Sequence, residues 1–202
     1  MRLPLDQRKT APRFEVWAQL CLCDSDAALI RNLLTTRLGI KPKILVNRMH
    51  ITVYHARRPI RQLQPAVEPS HVVIPTEATR FMVMAPGGEN PRSELDPAKN
   101  KVGIRIQKKD GARQEILWFR ERLLIHETPE VLGRRKRSTH TANAFGARHF
   151  QPHMAVLRSG SGIDRDLTKL GLLFRHEIKS LTFDRFLIDL VQRDAEGKRI
   201  RA

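Results

Sequence analysis

The sequence predicts an α+β fold of two similar lobes, each an antiparallel-type sheet with helices on its outer face, and a central cleft between the lobes. The length of 202 residues favours one domain over two. Strand, helix and strand are predicted in that order over residues 13–56 and again over 150–193, which suggests two related lobes. The predicted boundaries are a basic tail over 1–12, one two-lobed domain over 13–193 and a C-terminal tail over 194–202.

The first half of the chain supplies a strand, a helix and a second strand. The stretch RFEVWAQLCL, residues 13–22, has the β-branched, aromatic and apolar content that is typical of a buried strand. A helix is predicted next, because Asp24 or Ser25 can cap it and Gly39 can end it. Its apolar positions are Leu29, Ile30, Leu33, Leu34 and Leu38. The stretch ILVNRMHITVYHA, residues 44–56, predicts the second strand.

The rest of the chain predicts further strands and two more helices. Residues 71–84 predict two short strands broken at Pro75, because proline is confined to the ends and edges of strands. Residues 86–100 predict a long irregular loop, since they contain three prolines and two glycines. The remaining predicted elements are a hairpin arm over 101–111, a helix over 115–127, a strand over 149–158, a helix with a capping box at Ser161 and Asp164, and a closing strand over 180–193.

The chain is strongly basic, which favours a polyanionic partner such as RNA. Lys and Arg number 37 against 21 Asp and Glu, so the formal net charge is +16. The cations are densest at Arg57, Arg58 and Arg61 and at Arg134, Arg135, Lys136 and Arg137.

No apolar run reaches the roughly 18 to 20 residues of a membrane span. Cys21 and Cys23, the two cysteines, are too few for a disulfide framework. We therefore expect a cytoplasmic protein with no membrane partner.

The sharpest local signal is His50-Ile51-Thr52-Val53 in the second predicted strand. Alternate residues of a strand share a face, so His50, Thr52 and Tyr54 are predicted on one face and His55 on the other. An imidazole titrates near neutral pH and acts as a general acid or base. A hydroxyl roughly 7 Å further along the strand can bond an oxygen of the same bound group. This arrangement suits a phosphate.

A second histidine occupies the corresponding strand of the second predicted lobe, in His153-Met154-Ala155-Val156. The two imidazoles are therefore predicted to face each other across the cleft. The two cation clusters flank these strands, so an electrostatic funnel for RNA is expected. No metal-binding spacing and no glycine-rich nucleotide loop is present in the sequence, and we expect no metal and no other cofactor.

These strands resemble those of the two-histidine (2H) phosphoesterase superfamily, which includes the 2'-5' RNA ligase-like enzymes and cyclic nucleotide phosphodiesterases. The family is marked by two His-hydrophobic-Thr/Ser-hydrophobic strands about half a chain apart. HITV at 50–53 matches fully. HMAV at 153–156 keeps the histidine and both hydrophobic positions, but Ala155 replaces the hydroxyl residue. At the level of strand order the resemblance spans residues 13–193.

The resemblance implies metal-independent attack on a cyclic phosphodiester, at a 2',3'-cyclic phosphate end of RNA or in a related cyclic nucleotide. One of His50 and His153 would remove a proton from water, and the other would protonate the leaving ribose oxygen. In the RNA ligase-like members the second motif has the form PHxTLAR, and Pro152, His153 and Arg158 match that frame. Thr52 and Arg158 would hold the non-bridging oxygens. Reverse 2'-5' ligation would use the same groups.

Ala155 leaves a second function open. A methyl group cannot donate a hydrogen bond, and the loss of one transition-state donor costs roughly 2.7 to 4 kcal/mol. The alternative is an RNA-binding module on the same scaffold, with weak or no catalysis. A third hypothesis makes both histidines structural. Tyr54 and Ala155 are further candidates for the wall of the cleft.

Overall fold

The computed structural model describes residues 13–56, 64–84, 101–107, 111–124, 150–158, 167–193 and 200. Within these ranges the chain forms one seven-stranded antiparallel sheet with three α-helices. The strands are β1 (Arg13–Leu22), β2 (His50–Ala56), β3 (Ala66–Pro75), β4 (Thr79–Met84), β5 (Lys101–Ile106), β6 (His153–Leu157) and β7 (Ser180–Arg193). The helices are α1 (Asp24–Asn32), α2 (Ala112–Leu124) and α3 (Leu167–Glu177). The α+β class is confirmed, whereas the central cleft stays a prediction.

The strands are ordered β3-β7-β1-β2-β6-β5-β4 across the sheet. β7 therefore pairs with β1 and β3 and lies on the far side of β2 from β6. The second strand-helix-strand unit, residues 150–193, is thus divided between two parts of the sheet and does not form a lobe by itself. Element order along the chain indicated the strands correctly, but it did not indicate their neighbours.

The sheet is curved, because its two edge strands are consecutive in the chain. Only the 3₁₀ turn Thr76–Ala78 separates β3 from β4, although they occupy opposite edges. Four residues of chain span at most about 14 Å, whereas six strand spacings amount to about 29 Å. The two edges must therefore approach each other at this end of the sheet.

One row of buried side chains crosses the sheet from β7 to β4 and forms the centre of the core. The row is Phe186, Leu20, Ile51, Met154, Ile104 and Phe81, and every member is at most 3% exposed. Phe119 of α2 packs on Phe186, and Phe174 of α3 packs on Phe81. Both helices therefore cover this face of the sheet, and Ile30 of α1 joins the same cluster.

Several predicted elements have different boundaries in the structure. Cys23 is the N-cap of α1, rather than Asp24 or Ser25, and Leu29 is 53% exposed instead of buried. Gly39 ends the helical segment as predicted, with φ +61°. The second strand begins at His50 instead of residue 44, and residues 42–44 form a 3₁₀ turn. The loop over 86–100, the capping box at 161–164, both cation clusters and the N-terminal tail lie outside the described residues.

Candidate active site

The two histidine strands are neighbours, and their pairing sets the geometry of the site. Ile51 of β2 pairs with Met154 of β6, and both side chains are fully buried. Antiparallel alternation then places Thr52 opposite His153 and His50 opposite Ala155, all on the side of the sheet that turns away from the core row. We call this side the open face. The two histidines are diagonal neighbours there, a relation that corresponds to about 7 to 8 Å between backbone positions.

The same registers identify the other residues of the open face near this junction. On β1 they are Trp17, Gln19 and Cys21; on β5 and β4, Gly103, Arg105, Arg80 and Met82; on β7, Arg185, Leu187 and Asp189. Gln19 pairs with Thr52, and Arg105 pairs with His153. Arg105 and Gln19 are functional candidates that the sequence did not indicate, because no local motif tells which strands lie beside β2 and β6.

Both imidazoles are held in the same way by the backbone. Nδ1 of His50 lies 3.1 Å from the carbonyl oxygen of Arg48, and Nδ1 of His153 lies 2.8 Å from that of Gln151. A carbonyl oxygen can only accept, so in each ring Nδ1 carries the proton of this bond. The neutral tautomer of each ring therefore has its lone pair on Nε2, and Nε2 is the atom available to a ligand.

The two histidines differ in their surroundings. His50 is partly buried, whereas His153 is exposed. Burial lowers the pKa of His50 below its ordinary value, and the positive charges of Arg48 and His153 lower it further, against an opposing contribution from the hydrogen bond to the Arg48 carbonyl. His50 is therefore neutral at pH 7 and suited to accept a proton.

Arg158 directly follows β6, and its side chain is exposed. Two features release it from the regular alternation of β6. The register between β5 and β6 skips Val156, which is the extra residue of a bulge, and the strand ends at Leu157. The backbone N–H of Arg158 donates to the carbonyl of Ile44 at 2.7 Å, which ties the strand end to the turn before β2.

A second bulge, at Val53, changes which residues of β2 face the site. Ala18 pairs with Tyr54 and Gln19 with Thr52, so Val53 has no partner of its own on β1. Tyr54 is consequently fully buried in the core, and the expectation that it shares the face of His50 is wrong. His55, expected on the opposite face, pairs with Trp17 on the open face instead. Ala155 is partly exposed beside His50, as its candidate role at the site requires.

A buried arginine holds this bulge in place. Nη1 of Arg120, on α2, donates to the carbonyl oxygen of Val53 at 2.7 Å, and Arg120 is only 4% exposed. Its guanidinium also lies over the ring of Phe150, at 4.4 Å from the centroid. Phe150 is three residues before His153 and receives a further bond on its carbonyl from Arg113. Arg120 therefore connects the strand of His50 with the entry into the strand of His153.

Comparison with protein-family models, with curated proteins and with solved structures gives no match for this chain. Across the described ranges, no group of three or more His, Cys, Asp or Glu side chains is placed to hold a metal ion. In the same part of the chain, no helix has the length and apolarity needed to cross a bilayer. What the site does must be inferred from its own residues.

We predict that Arg120→Met lowers the free energy of unfolding by about 1 to 3 kcal/mol, because a buried carbonyl loses its partner. Arg122→Met is the matched control on the same helix. Arg122 bonds Glu68 at 3.2 Å and lies over the ring of Trp118 at 4.9 Å, both on a partly exposed surface, so the loss of these contacts should cost about 1 kcal/mol. Urea denaturation measures both variants. Equal losses would contradict the role given to Arg120.

We also predict that His50 titrates below about 6.5, the unperturbed value for histidine, in an NMR titration of the imidazole resonances. Arg48→Gln keeps the backbone carbonyl and removes a charge that lowers the pKa, so it should move the titration to higher pH. Arg37→Gln, on an exposed arginine paired with Glu177, is the control and should have no effect. A shift to lower pH in Arg48→Gln would refute this electrostatic explanation.

Proposed function

We propose that this protein is a metal-independent cyclic phosphodiesterase that opens the 2',3'-cyclic phosphate at an RNA end or in a related cyclic nucleotide. The proposal rests mainly on the two histidines, which have equivalent positions and equivalent hydrogen bonds. His50 and His153 share one face of adjacent strands, and each ring donates Nδ1–H to the carbonyl two residues before it. Two Nε2 atoms are thereby directed to the same side of the sheet, as general acid-base catalysis at one phosphorus requires.

The difference between the two histidines supports a division of roles. His50 acts as the base, because its lowered pKa keeps it neutral at pH 7, and it takes a proton from the attacking water. His153 acts as the acid in its imidazolium form, in which Nε2 is protonated as well as Nδ1, and it gives the Nε2 proton to the leaving 2' or 3' oxygen of the ribose. The P–O bond to that oxygen breaks as the bond to water forms, which leaves a phosphomonoester.

The non-bridging oxygens require donors, and the second motif provides none at Ala155. Thr52, which faces His153, supplies one hydroxyl. Arg158 at the end of β6 supplies a cation. We propose that Arg105 contributes a second cation, since it pairs with His153 and its long side chain can reach a phosphate beside that ring.

The proposed catalytic cleft lies where β2 meets β6. This junction is the shortest pairing of the described sheet, with the single pair Ile51–Met154, and it separates the group β3-β7-β1-β2 from the group β6-β5-β4. We propose that these two groups are the two lobes, so that the lobes are not the two halves of the chain. The histidine strands are then the inner strand of each lobe.

The charge of the open face supports an anionic substrate. Arg105 and Arg80 are directly opposite each other on neighbouring strands, an arrangement that is unfavourable without a counter-charge. A phosphate group would relieve this repulsion. With a net charge of +16, the chain is also expected to attract RNA over longer distances, in a manner that weakens with salt.

The direct test is turnover of RNA that ends in a 2',3'-cyclic phosphate, measured in EDTA. We expect the wild type to open the ring and His50→Ala and His153→Ala to be slower by about 10²- to 10⁴-fold each, since each removes one proton-transfer group. His176→Ala, on an exposed ring of α3, is the control and should retain full activity. Equal rates in wild type and in both site variants would remove the proposal.

A second candidate function, RNA binding with weak or no catalysis, is favoured by Ala155. A methyl group opposite His50 leaves the site without one hydroxyl donor. In this case the wild type binds RNA in a salt-sensitive manner without opening the cyclic phosphate, and the binding survives both histidine substitutions. The same assay therefore separates the two functions.

We predict that Arg105→Gln lowers kcat by about 10²-fold, because a donor to the transition state is lost. Ala155→Ser in that background introduces the hydroxyl that the second strand lacks and should recover part of the loss. Arg175→Gln, on α3 and remote from the open face, is the matched control and should not change kcat. Steady-state kinetics on a cyclic nucleotide measures all three. A wild-type rate in Arg105→Gln would exclude this residue from the phosphate site.

A further inference from the structure

His50 has a non-polar neighbour on each side across the sheet. On β1 it pairs with Cys21, which is only 5% exposed. On β6 the residue opposite His50 is Ala155, because Ile51 pairs with Met154. Directly opposed residues of an antiparallel pair have their Cβ atoms about 4.5 to 5.5 Å apart. The imidazole of His50 therefore lies between a thiol and a methyl group.

The surface beyond Ala155 is also non-polar. Gly103 of β5 pairs with Ala155, and the side chain of Met84 lies against Gly103. A methyl group at Gly103 would come within 2.7 Å of the Met84 sulfur and of the Met154 carbonyl oxygen, so this position has room for hydrogen alone. On this side of His50 the neighbouring side chains thus offer no strong hydrogen-bond acceptor.

His153 has polar neighbours instead. It lies opposite Thr52 on β2 and opposite Arg105 on β5, and its ring is exposed. The row of side chains that contains His50 is therefore non-polar on both sides of the ring, whereas the adjacent row, which contains His153, is polar.

The hydrogen bond at Nδ1 makes the non-polar neighbours of His50 important for its protonation. Nδ1 already donates to the Arg48 carbonyl, so a second proton must enter at Nε2. Within the described ranges Nε2 of His50 has no hydrogen-bond partner. A methyl group cannot accept a bond from a protonated Nε2, and a thiol accepts only weakly. Neither Ala155 nor Cys21 therefore stabilises the imidazolium form.

Cys21 is a neutral neighbour as well as a non-polar one. Burial raises the pKa of its thiol above the ordinary value, against opposing contributions from Arg48 and Arg185 and with a further contribution in the same direction from Asp184. The thiol therefore stays protonated at pH 7. It supplies no negative charge that would attract a proton to His50.

The charged groups around His50 also oppose its protonation. Three basic residues lie on its own segment and on the neighbouring strands: Arg48, His153 and Arg185. Arg185 forms ion pairs with Asp24 and Asp184, each at 3.2 Å, so these two carboxylates face the guanidinium. No ion pair among the described residues includes His50. Charge and solvation thus act in the same direction at this imidazole.

We propose that Cys21 and Ala155 are positioning residues that keep His50 unprotonated and so make it the base of the histidine pair. The inference rests on the proposed function and gives Ala155 a role in it. The residue that lacks a donor for the phosphate also lacks an acceptor for the proton that would inactivate His50. The protein should therefore stay active at lower pH than it would with a hydroxyl residue at position 155.

An NMR titration of the imidazole resonances tests the inference without turnover. Cys21→Ser and Ala155→Ser each place a hydroxyl beside His50, where it can accept a bond from a protonated Nε2. Each variant should raise the pKa of His50, and the double variant should raise it further. Cys23→Ser is the matched control and should have no effect, because the Cys23 sulfur contacts Ser25 at 3.2 Å. An unchanged pKa of His50 in the double variant would overturn the inference.

A second variant separates the added hydroxyl from a disturbance of packing. Cys21→Ala removes the thiol from the same buried position without adding an acceptor, so the pKa of His50 should stay below its ordinary value. If Cys21→Ala raises this pKa as much as Cys21→Ser does, packing rather than the missing acceptor is responsible, and the role given to Cys21 is wrong.

The pH dependence of kcat/KM on 2',3'-cyclic AMP in EDTA gives the second test. The rate falls on the acid side as the base becomes protonated. In the double variant Cys21→Ser and Ala155→Ser, the ratio of kcat/KM on this acid limb to its plateau value should fall by about 3- to 10-fold. A hydroxyl that only added a phosphate donor would change the plateau and leave the ratio unaltered, which would contradict the inference.

The outcomes separate the inference from the function on which it rests. If the wild type is active and the serine variants leave the pKa of His50 unchanged, the role of Cys21 and Ala155 is wrong and the phosphodiesterase proposal stands. If the wild type turns over no cyclic phosphate but the serine variants raise the pKa of His50, the phosphodiesterase proposal fails, and the two residues still set the protonation of His50.

Discussion

The pairing of Ile51 with Met154 fixes the direction of every side chain at the site. Both residues are fully buried in the row that crosses the sheet, so the residues on either side of each must point away from the core. If the register between β2 and β6 shifted by one residue, His50 or His153 would be buried and an apolar side chain would be exposed. Exposure of that side chain alone would cost roughly 1.5 to 3 kcal/mol. Hydrophobic burial in the core thus brings the two imidazoles to one surface.

The polar core residues refine this arrangement. A bulge leaves a strand carbonyl without its ladder partner, and at Val53 the buried guanidinium of Arg120 provides a replacement. The same guanidinium contacts Phe150 at the entry to β6. Through these two contacts Arg120 of α2 restrains both histidine strands together. The bulge at Val53 also places Trp17 and His55 beside the site. The site therefore depends on residues that no ligand would touch.

The sequence was sufficient for features that depend on local alternation. The strand over residues 13–22, the helix stop at Gly39 and the shared face of His50 and Thr52 follow from neighbours a few positions away. Features that depend on partners distant in sequence were not predictable. Tyr54 and His55 were each predicted on the wrong face of the strand. A bulge inverts the alternation of side chains, and nothing in HITVYHA indicates where the bulge lies. Arg105 became a candidate only once β5 was found beside β6.

The most direct test is an NMR experiment in which an analogue of the transition state at phosphorus, such as a vanadate complex of uridine, is added stepwise to the protein. The resonances of the imidazole nitrogens are followed during the addition. If one phosphorus-like centre binds between the rings, the Nε2 resonances of His50 and His153 shift together with the same dissociation constant, and those of His71 and His176 stay in place. A shift at only one of the two site histidines, or at neither, would contradict the claim that both serve a single bound phosphate.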